Sequence, residues 1–337
     1  MVGDRTTSGM DSCESTQRTC GLICPTLSIG FQTVAKRVLI TGGSGLLGLN
    51  WAIACKDIYQ VTLGVHTRQV DLKGVDYCSP QIDTRDALAA TLDKIKPDLV
   101  VHAAGMTNIE QCEANPGMAR HANVVLAENV ATVCAKSGVA LAHISTDHLF
   151  TGSEPMVQEN HPVSPLNMYG KTKAEAEQCV LREHPHALVI RTNFYGWGPA
   201  YRRSFSDFIF DSLRVGKPVS LFRDVYYTPI LIESMVQAVH QLIDRKASGI
   251  FHVVGDERVS KYEFGIGLAK VFKFDPNLIR PINLDSIPEL VARPKDMSLS
   301  NRLACQTLER RLGSTQEQLC RLHQQSHHPL RLQSVST

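Results

Sequence analysis

The feature that most constrains this chain is a cluster of glycines directly behind a short apolar run. Arg37-Val-Leu-Ile-Thr41 is followed by Gly42-Gly-Ser-Gly45-Leu-Leu-Gly48. Val38, Leu39 and Ile40 have the composition of a buried parallel strand. Leu46, Leu47 and residues 49–55 read as a helix opening near Gly45. Strand, glycine turn and helix in this order form the entrance of a dinucleotide-binding unit. Gly42 permits the tight turn, Gly45 lets the backbone approach a pyrophosphate, and Gly48 lets helix and strand pack closely. The helix N-terminus offers N–H groups and a positive dipole end to the anion. The spacing is Gly-x-x-Gly-x-x-Gly rather than Gly-x-Gly-x-x-Gly.

The next apolar run, Val61–Val65, should end beside the adenosine ribose. An acid about 20 residues after the glycines would hold a 2′-hydroxyl. Here the positions are His66, Thr67 and Arg68, and no carboxylate comes before Asp71. A guanidinium suits a 2′-phosphate, so Arg68 predicts NADP, with NAD the alternative. Asp83 follows Gln81-Ile82 and is expected to end the third strand and face the adenine.

A second constellation carries chemistry. Tyr169 and Lys173 stand four apart in a helix-favouring stretch, so they share one helix face. An ammonium beside a phenol favours the phenolate and lowers its pKa from about 10. Such a pair can pass a proton to a carbonyl oxygen while hydride moves at the adjacent carbon, and Lys173 can also hold the nicotinamide ribose. Thr146, with Asp147, follows the apolar run Val139–Ile144. Its hydroxyl should lie at a strand's carboxyl end, where open α/β sheets bind ligands, ready to donate to the substrate oxygen.

The rest of the chain fits this reading. Strands are expected at 37–41, 60–65, 98–103, 139–145 and 187–192, alternating with helical stretches. That predicts an α/β Rossmann fold, a doubly wound parallel sheet, over 36–195. After Gly196-Trp-Gly-Pro199 a smaller C-terminal substrate-binding lobe is expected, mainly 196–313. In it 206–215, 233–243 and 261–272 read as helices and 249–254 as a strand. Phe205, Tyr226, Tyr227, Arg223 and Arg293 are its candidates for stacking a base or clamping a diphosphate. Residues 314–337 read as a frayed tail. Residues 1–35 read as a flexible extension. Asp4, Asp11, Glu14 and Pro25 argue against a secretory signal there, with an organellar transit peptide the alternative. A formal charge of +2 gives no bias toward nucleic acid or acidic membranes, and no apolar run approaches the roughly 18 residues of a membrane span. Cys55, Cys112, Cys134 and Cys179 fall in helical stretches and read as buried thiols of a reducing, cytoplasmic compartment. Neither Cys20 with Cys24 nor His327-His328 has the partners of a metal site.

These residues resemble the extended short-chain dehydrogenase/reductases, and within them the dTDP-4-dehydrorhamnose reductases. The resemblance runs through residues 41–48, Pro97–Ala104, Ile144–Phe150, Pro165–Lys173, Val189–Thr192 and Ala292–Pro294, and spans about 36–313. It implies that Thr146, Tyr169 and Lys173 are the catalytic triad. It also implies that Gly42, Ser44, Gly45, Leu46, Leu47, Gly48, Asp83, Ala103, Ala104 and Thr192 line the cofactor or cleft, with Asp147 and Arg293 on the substrate. The substrate so implied is a nucleotide-activated 4-keto sugar. The family has tyrosine where His148 stands, an aspartate near Thr151, and Asp-Gln and Pro-Thr where this chain has Asp224-Val225 and Thr228-Pro229. The dehydratases of the superfamily carry Glu directly after Thr-Asp, and His148 here removes that acid. The chain also resembles the regulatory β subunits of methionine adenosyltransferase. That resemblance implies the alternative of a non-catalytic NADP-binding subunit of a partner enzyme. A homodimer is the other assembly expected.

Overall fold

The computed structural model describes residues 36–68, 70–325 and 329–332, so the expectations for 1–35 and for His327-His328 lie outside the described residues. In chain order the first half contains β1 (Arg37–Thr41), α1 (Leu46–Cys55), β2 (Gln60–Gly64), β3 (Asp76–Cys78), α2 (Arg85–Ile95) and β4 (Leu99–His102). Two short helices follow, α3 (Ile109–Ala114) and α4 (Pro116–Arg120). A π-helical stretch, His121–Val125, leads into α5 (Leu126–Ser137), then β5 (Ala140–Ile144), α6 (Met168–Glu183) and β6 (Leu188–Arg191). The second half contains β7 (Phe194–Tyr195), α7 (Phe205–Arg214), β8 (Val219–Phe222), β9 (Tyr226–Tyr227), β10 (Ile230–Leu231), α8 (Ile232–Asp244) and β11 (Gly249–His252). It ends with β12 (Val259–Ser260), α9 (Lys261–Phe272), β13 (Ile279–Ile282), α10 (Arg302–Leu308), α11 (Thr315–Gln324) and the short α12 (Pro329–Leu332).

Seven strands form one parallel sheet in the order β11-β6-β5-β4-β1-β2-β3. Alternate residues of each strand enter opposite layers, as the pleat requires. Val38, Ile40 and Val101 pack with Trp51 of α1, Met235 of α8 and Leu308 of α10. Leu39, Val100 and Leu141 pack with Leu88 of α2, Val130 of α5 and Val180 of α6. The strand order reverses between β1 and β4, and that switch point opens a crevice at the carboxyl ends of the strands. A separate core of Trp197, Phe210, Leu221, Phe264 and Leu319 builds the second lobe around α7, α9 and α11.

β11 pairs with β6, and α8 and α10 cover the sheet, so these parts of 196–313 join the Rossmann layers rather than the lobe. Two expectations need correction. Residues 315–324 are not frayed. Ser314 and Glu317 close a capping box, Leu319 and Leu322 are buried, and Gln318 Oε1 accepts from the Leu231 N–H at 2.5 Å. The third strand is β3, not the run ending at Asp83, which lies in the turn before α2.

Candidate active site

The phosphate cradle forms where β1 gives way to α1. Gly42 has φ +69°, and a Cβ there would lie 2.8 Å from Ala104 N and 2.9 Å from Ala103 O. Only glycine fits that approach, which brings the end of β4 onto the glycine turn. Gly45 is the N-cap of α1 and no side chain caps the helix. The orphan N–H groups of Leu46, Leu47 and Gly48 are therefore left for an anion. Gly42, Ser44, Gly45, Leu46, Leu47, Gly48, Ala103 and Ala104 thus come together as one cradle, and it fits a dinucleotide pyrophosphate. A loop of the second lobe closes on it. Tyr201 donates to Ser44 O at 2.9 Å, and the exposed Arg68 guanidinium stacks on the Tyr201 ring, 4.0 Å from its centroid.

Two expected cofactor residues are engaged elsewhere. The exposed Asp83 carboxylate pairs with His121 Nε2 at 2.8 Å. The Thr192 hydroxyl is turned to Met235 Sδ of α8, at 3.4 Å.

The chemical centre lies between the end of β5 and the start of α6. Asn167 caps α6 by accepting from the Gly170 N–H at 2.9 Å. A Cβ on Gly170 would stand 2.3 Å from His148 O. The glycine after Tyr169 is what lets α6 approach the Thr146–His148 segment. Tyr169, Lys173 and Glu177 then follow at four-residue steps on one face. Burial pushes the Tyr169 phenol up to about 12, and the neighbouring Thr146 hydroxyl opposes that rise. That hydroxyl donates to Asp147 Oδ1 at 3.3 Å and accepts from the His148 N–H at 3.3 Å. The expectation that Lys173 pulls the phenol down is corrected: burial dominates, and the group that lowers it is Thr146, not Lys173.

Lys173 is 6% exposed and donates to Ile144 O at 2.6 Å, with His143 Nε2 3.4 Å away. Burial pushes its ammonium down to about 8, with Glu177 pulling the other way. Glu177 is itself fixed. It accepts from Ser145 at 2.6 Å and from the 2%-exposed Arg191 guanidinium at 2.7 and 2.9 Å. Asp147 accepts from Asn193 at 2.5 Å, and the His148 ring stands edge-on to Tyr169 at 5.7 Å. Arg293 reaches this region, but its guanidinium is paired with Glu110.

Other lobe candidates are already partnered. Arg223 is exposed and bonded to Asn283 at 2.8 Å, and Arg258 covers the Tyr226 ring at 3.6 Å.

Sequence reasoning placed Arg191 with Thr192 at the cleft but missed its pairing with Glu177, and missed Asn193 and a polar row beneath the cleft. Thr41 Oγ1 meets His102 Nδ1 at 2.8 Å, and His102 stacks on His143 at 5.4 Å. Burial pushes His102 down to about 3 and lowers His143 well below the usual imidazole range, so both are neutral. The available signal was a histidine at the carboxyl end of each of two apolar strands.

The Rossmann sheet, with a glycine cradle at its switch point and Thr146, Tyr169 and Lys173 near the carboxyl ends of its strands, is that of an NAD(P)-dependent oxidoreductase of the extended short-chain dehydrogenase/reductase class. Residues 36–327 match the RmlD substrate binding domain family, and the chain belongs to it. Among its relatives is methionine adenosyltransferase 2 subunit beta of Xenopus laevis, 30% identical over 260 residues covering 74% of this chain and 75% of the relative. Another is dTDP-4-dehydrorhamnose reductase of Aggregatibacter actinomycetemcomitans, 26% identical, covering 78% of this chain and 90% of the relative. The crystal structure of dTDP-4-dehydrorhamnose reductase from Bacillus anthracis in complex with NADP superposes with a TM-score of 0.77 at 24% identity. It covers 87% of this chain and 100% of that one.

Proposed function

We propose that this chain is an NADP-dependent reductase of the 4-keto group of a nucleotide-activated deoxysugar. The observation that carries the reading is the placement of Thr146 beside the buried Tyr169 phenol at the carboxyl end of the sheet, with Lys173 one turn further along α6. The bound nicotinamide supplies the hydride equivalent. Tyr169 gives its proton to the substrate oxygen. Thr146 donates a hydrogen bond to the same oxygen, holding it in line. The Lys173 ammonium stabilises the phenolate that is left, and Glu177 keeps that ammonium charged. Buried thiols at Cys55, Cys112, Cys134 and Cys179 support a reducing, cytoplasmic compartment. The test is NADPH oxidation with a panel of 4-keto-6-deoxy nucleotide sugars. Loss of nicotinamide absorbance with at least one sugar is expected, and none with any sugar overturns the reading.

The similarity to methionine adenosyltransferase β subunits favours a second reading, a non-catalytic NADP-binding subunit. It predicts no oxidation on the panel and a stoichiometric enzyme partner recovered from lysate.

NADP preference is assigned to Arg68. The residue is exposed, its guanidinium lies on the Tyr201 ring, and a 2′-phosphate can be met from its open side. Arg68→Ala should weaken NADPH binding about ten-fold or more, the usual worth of a charged hydrogen bond, and leave NADH binding nearly unchanged. Equal loss for both cofactors, measured by fluorescence titration, would remove the assignment.

A further inference from the structure

Lys261 is the first residue of α9. A cation there meets the positive end of the helix dipole, the unfavourable end. The helix does not need it. Ser260 and Glu263 close a capping box, and the Lys261 N–H donates to Val225 O at 3.0 Å. The side chain lies instead over two aromatic faces, with Nζ 3.3 Å from the Tyr227 ring centroid and 4.8 Å from that of Phe205. Among the described residues no carboxylate pairs with it and no acceptor takes its protons. The carboxylate that acts on it is Asp147, next to Thr146, and Lys261 in turn acts on His148. Tyr227 is 2% exposed, and its hydroxyl has no hydrogen-bond partner among the described residues. A half-buried ammonium and a buried phenol, both without acceptors, therefore share one wall beside the chemical centre. Such groups are costly to leave unpaired. Breaches of local rules of this kind mark ligand sites.

We propose that Lys261, with Tyr227, is an anion-binding subsite on the substrate side of the Thr146–Tyr169 centre and receives the diphosphate of the nucleotide sugar. The inference rests on the reductase reading and adds the residue that selects a charged substrate over a neutral one. The recognised chemistry is an oxyanion, and a sugar carboxylate is its other source.

Calorimetric titration of the NADPH-saturated protein tests it, with thymidine diphosphate, thymidine, pyrophosphate and glucuronate as probes. The wild type should bind thymidine diphosphate about ten-fold or more tighter than thymidine, as one charge-assisted contact would give. Lys261→Met should erase that preference without changing NADPH affinity, and Lys261→Arg should keep it. Wild-type affinity for thymidine diphosphate in Lys261→Met overturns the subsite. Lys261-dependent binding of glucuronate with no binding of either diphosphate probe upholds the anion subsite and removes the nucleotide-sugar reading. No Lys261-dependent binding of any probe overturns the subsite, while oxidation of NADPH by the sugar panel would still uphold the reductase.

Discussion

Tyr169→Phe is expected to lower NADPH-dependent carbonyl reduction by roughly 10²–10⁴-fold, the usual contribution of a positioned general acid. NADPH affinity should not change, because the hydroxyl acts on the substrate. Stopped-flow absorbance and fluorescence titration separate the two. Unchanged turnover would remove Tyr169 from the chemistry. The pH dependence carries a matching sign. Tyr169, raised to about 12, stays protonated over the working range, so it does not limit reduction at high pH. Lys173, lowered to about 8, loses its charge as pH climbs through that value. Reduction at saturating NADPH should therefore fall above about pH 8. Lys173→Arg keeps the charge and should move that fall to higher pH, at reduced rate, because its planar fork fits ribose hydroxyls less well. Glu177→Gln removes the group that holds the ammonium charged and should move the fall to lower pH. A profile identical in all three proteins would detach Lys173 from the reaction.

The second large effect is on stability. Arg191 and Glu177 form an ion pair with 2% and 4% of their side chains exposed. Arg191 also donates to Glu159 O at 3.2 Å. Arg191→Met leaves the Glu177 carboxylate buried with Ser145 as its remaining donor. Breaking such a pair costs about 3–5 kcal/mol. Scaled to 337 residues, each kcal/mol moves the melting temperature by roughly 1.5 °C, so a fall of about 4–8 °C is expected. The double variant Arg191→Met/Glu177→Met removes both charges and should recover much of that loss. A double variant less stable than Arg191→Met alone would mean that packing, not the stranded charge, sets the cost. Differential scanning calorimetry reads all three.

The cradle was legible because its signal is local. Strand, glycine turn and helix are contiguous, and Gly42 and Gly48 have steric reasons that need few neighbours. Tyr169 and Lys173 were legible for the same reason, as one helix face. Glu177 and Arg191 were not, because their pairing needs α6 packed on β6, which no spacing states. Asp83 was misplaced because β3 is short and largely exposed, so no apolar run marks it. The tail was misread because α11 buries few apolar side chains, although Ser314 and Glu317 stand at capping-box spacing. Lys261 was visible only as the first residue of an expected helix. Only the lobe's fold brings it over Tyr227 and toward Asp147.

The place of β11 in the main sheet has a consequence for how the chain reaches its native state. β6 finds its outer partner only when residues 249–252 arrive, after β7–β10, α7 and α8 have been made. Until then Leu188–Arg191 presents an unpaired apolar edge, the kind of surface that recruits other chains. On a ribosome the first six strands can assemble early, but that edge stays open through the translation of α7 and α8. This non-local pairing is a slow step by contact-order arguments, and it makes the nascent chain vulnerable to aggregation at one defined place.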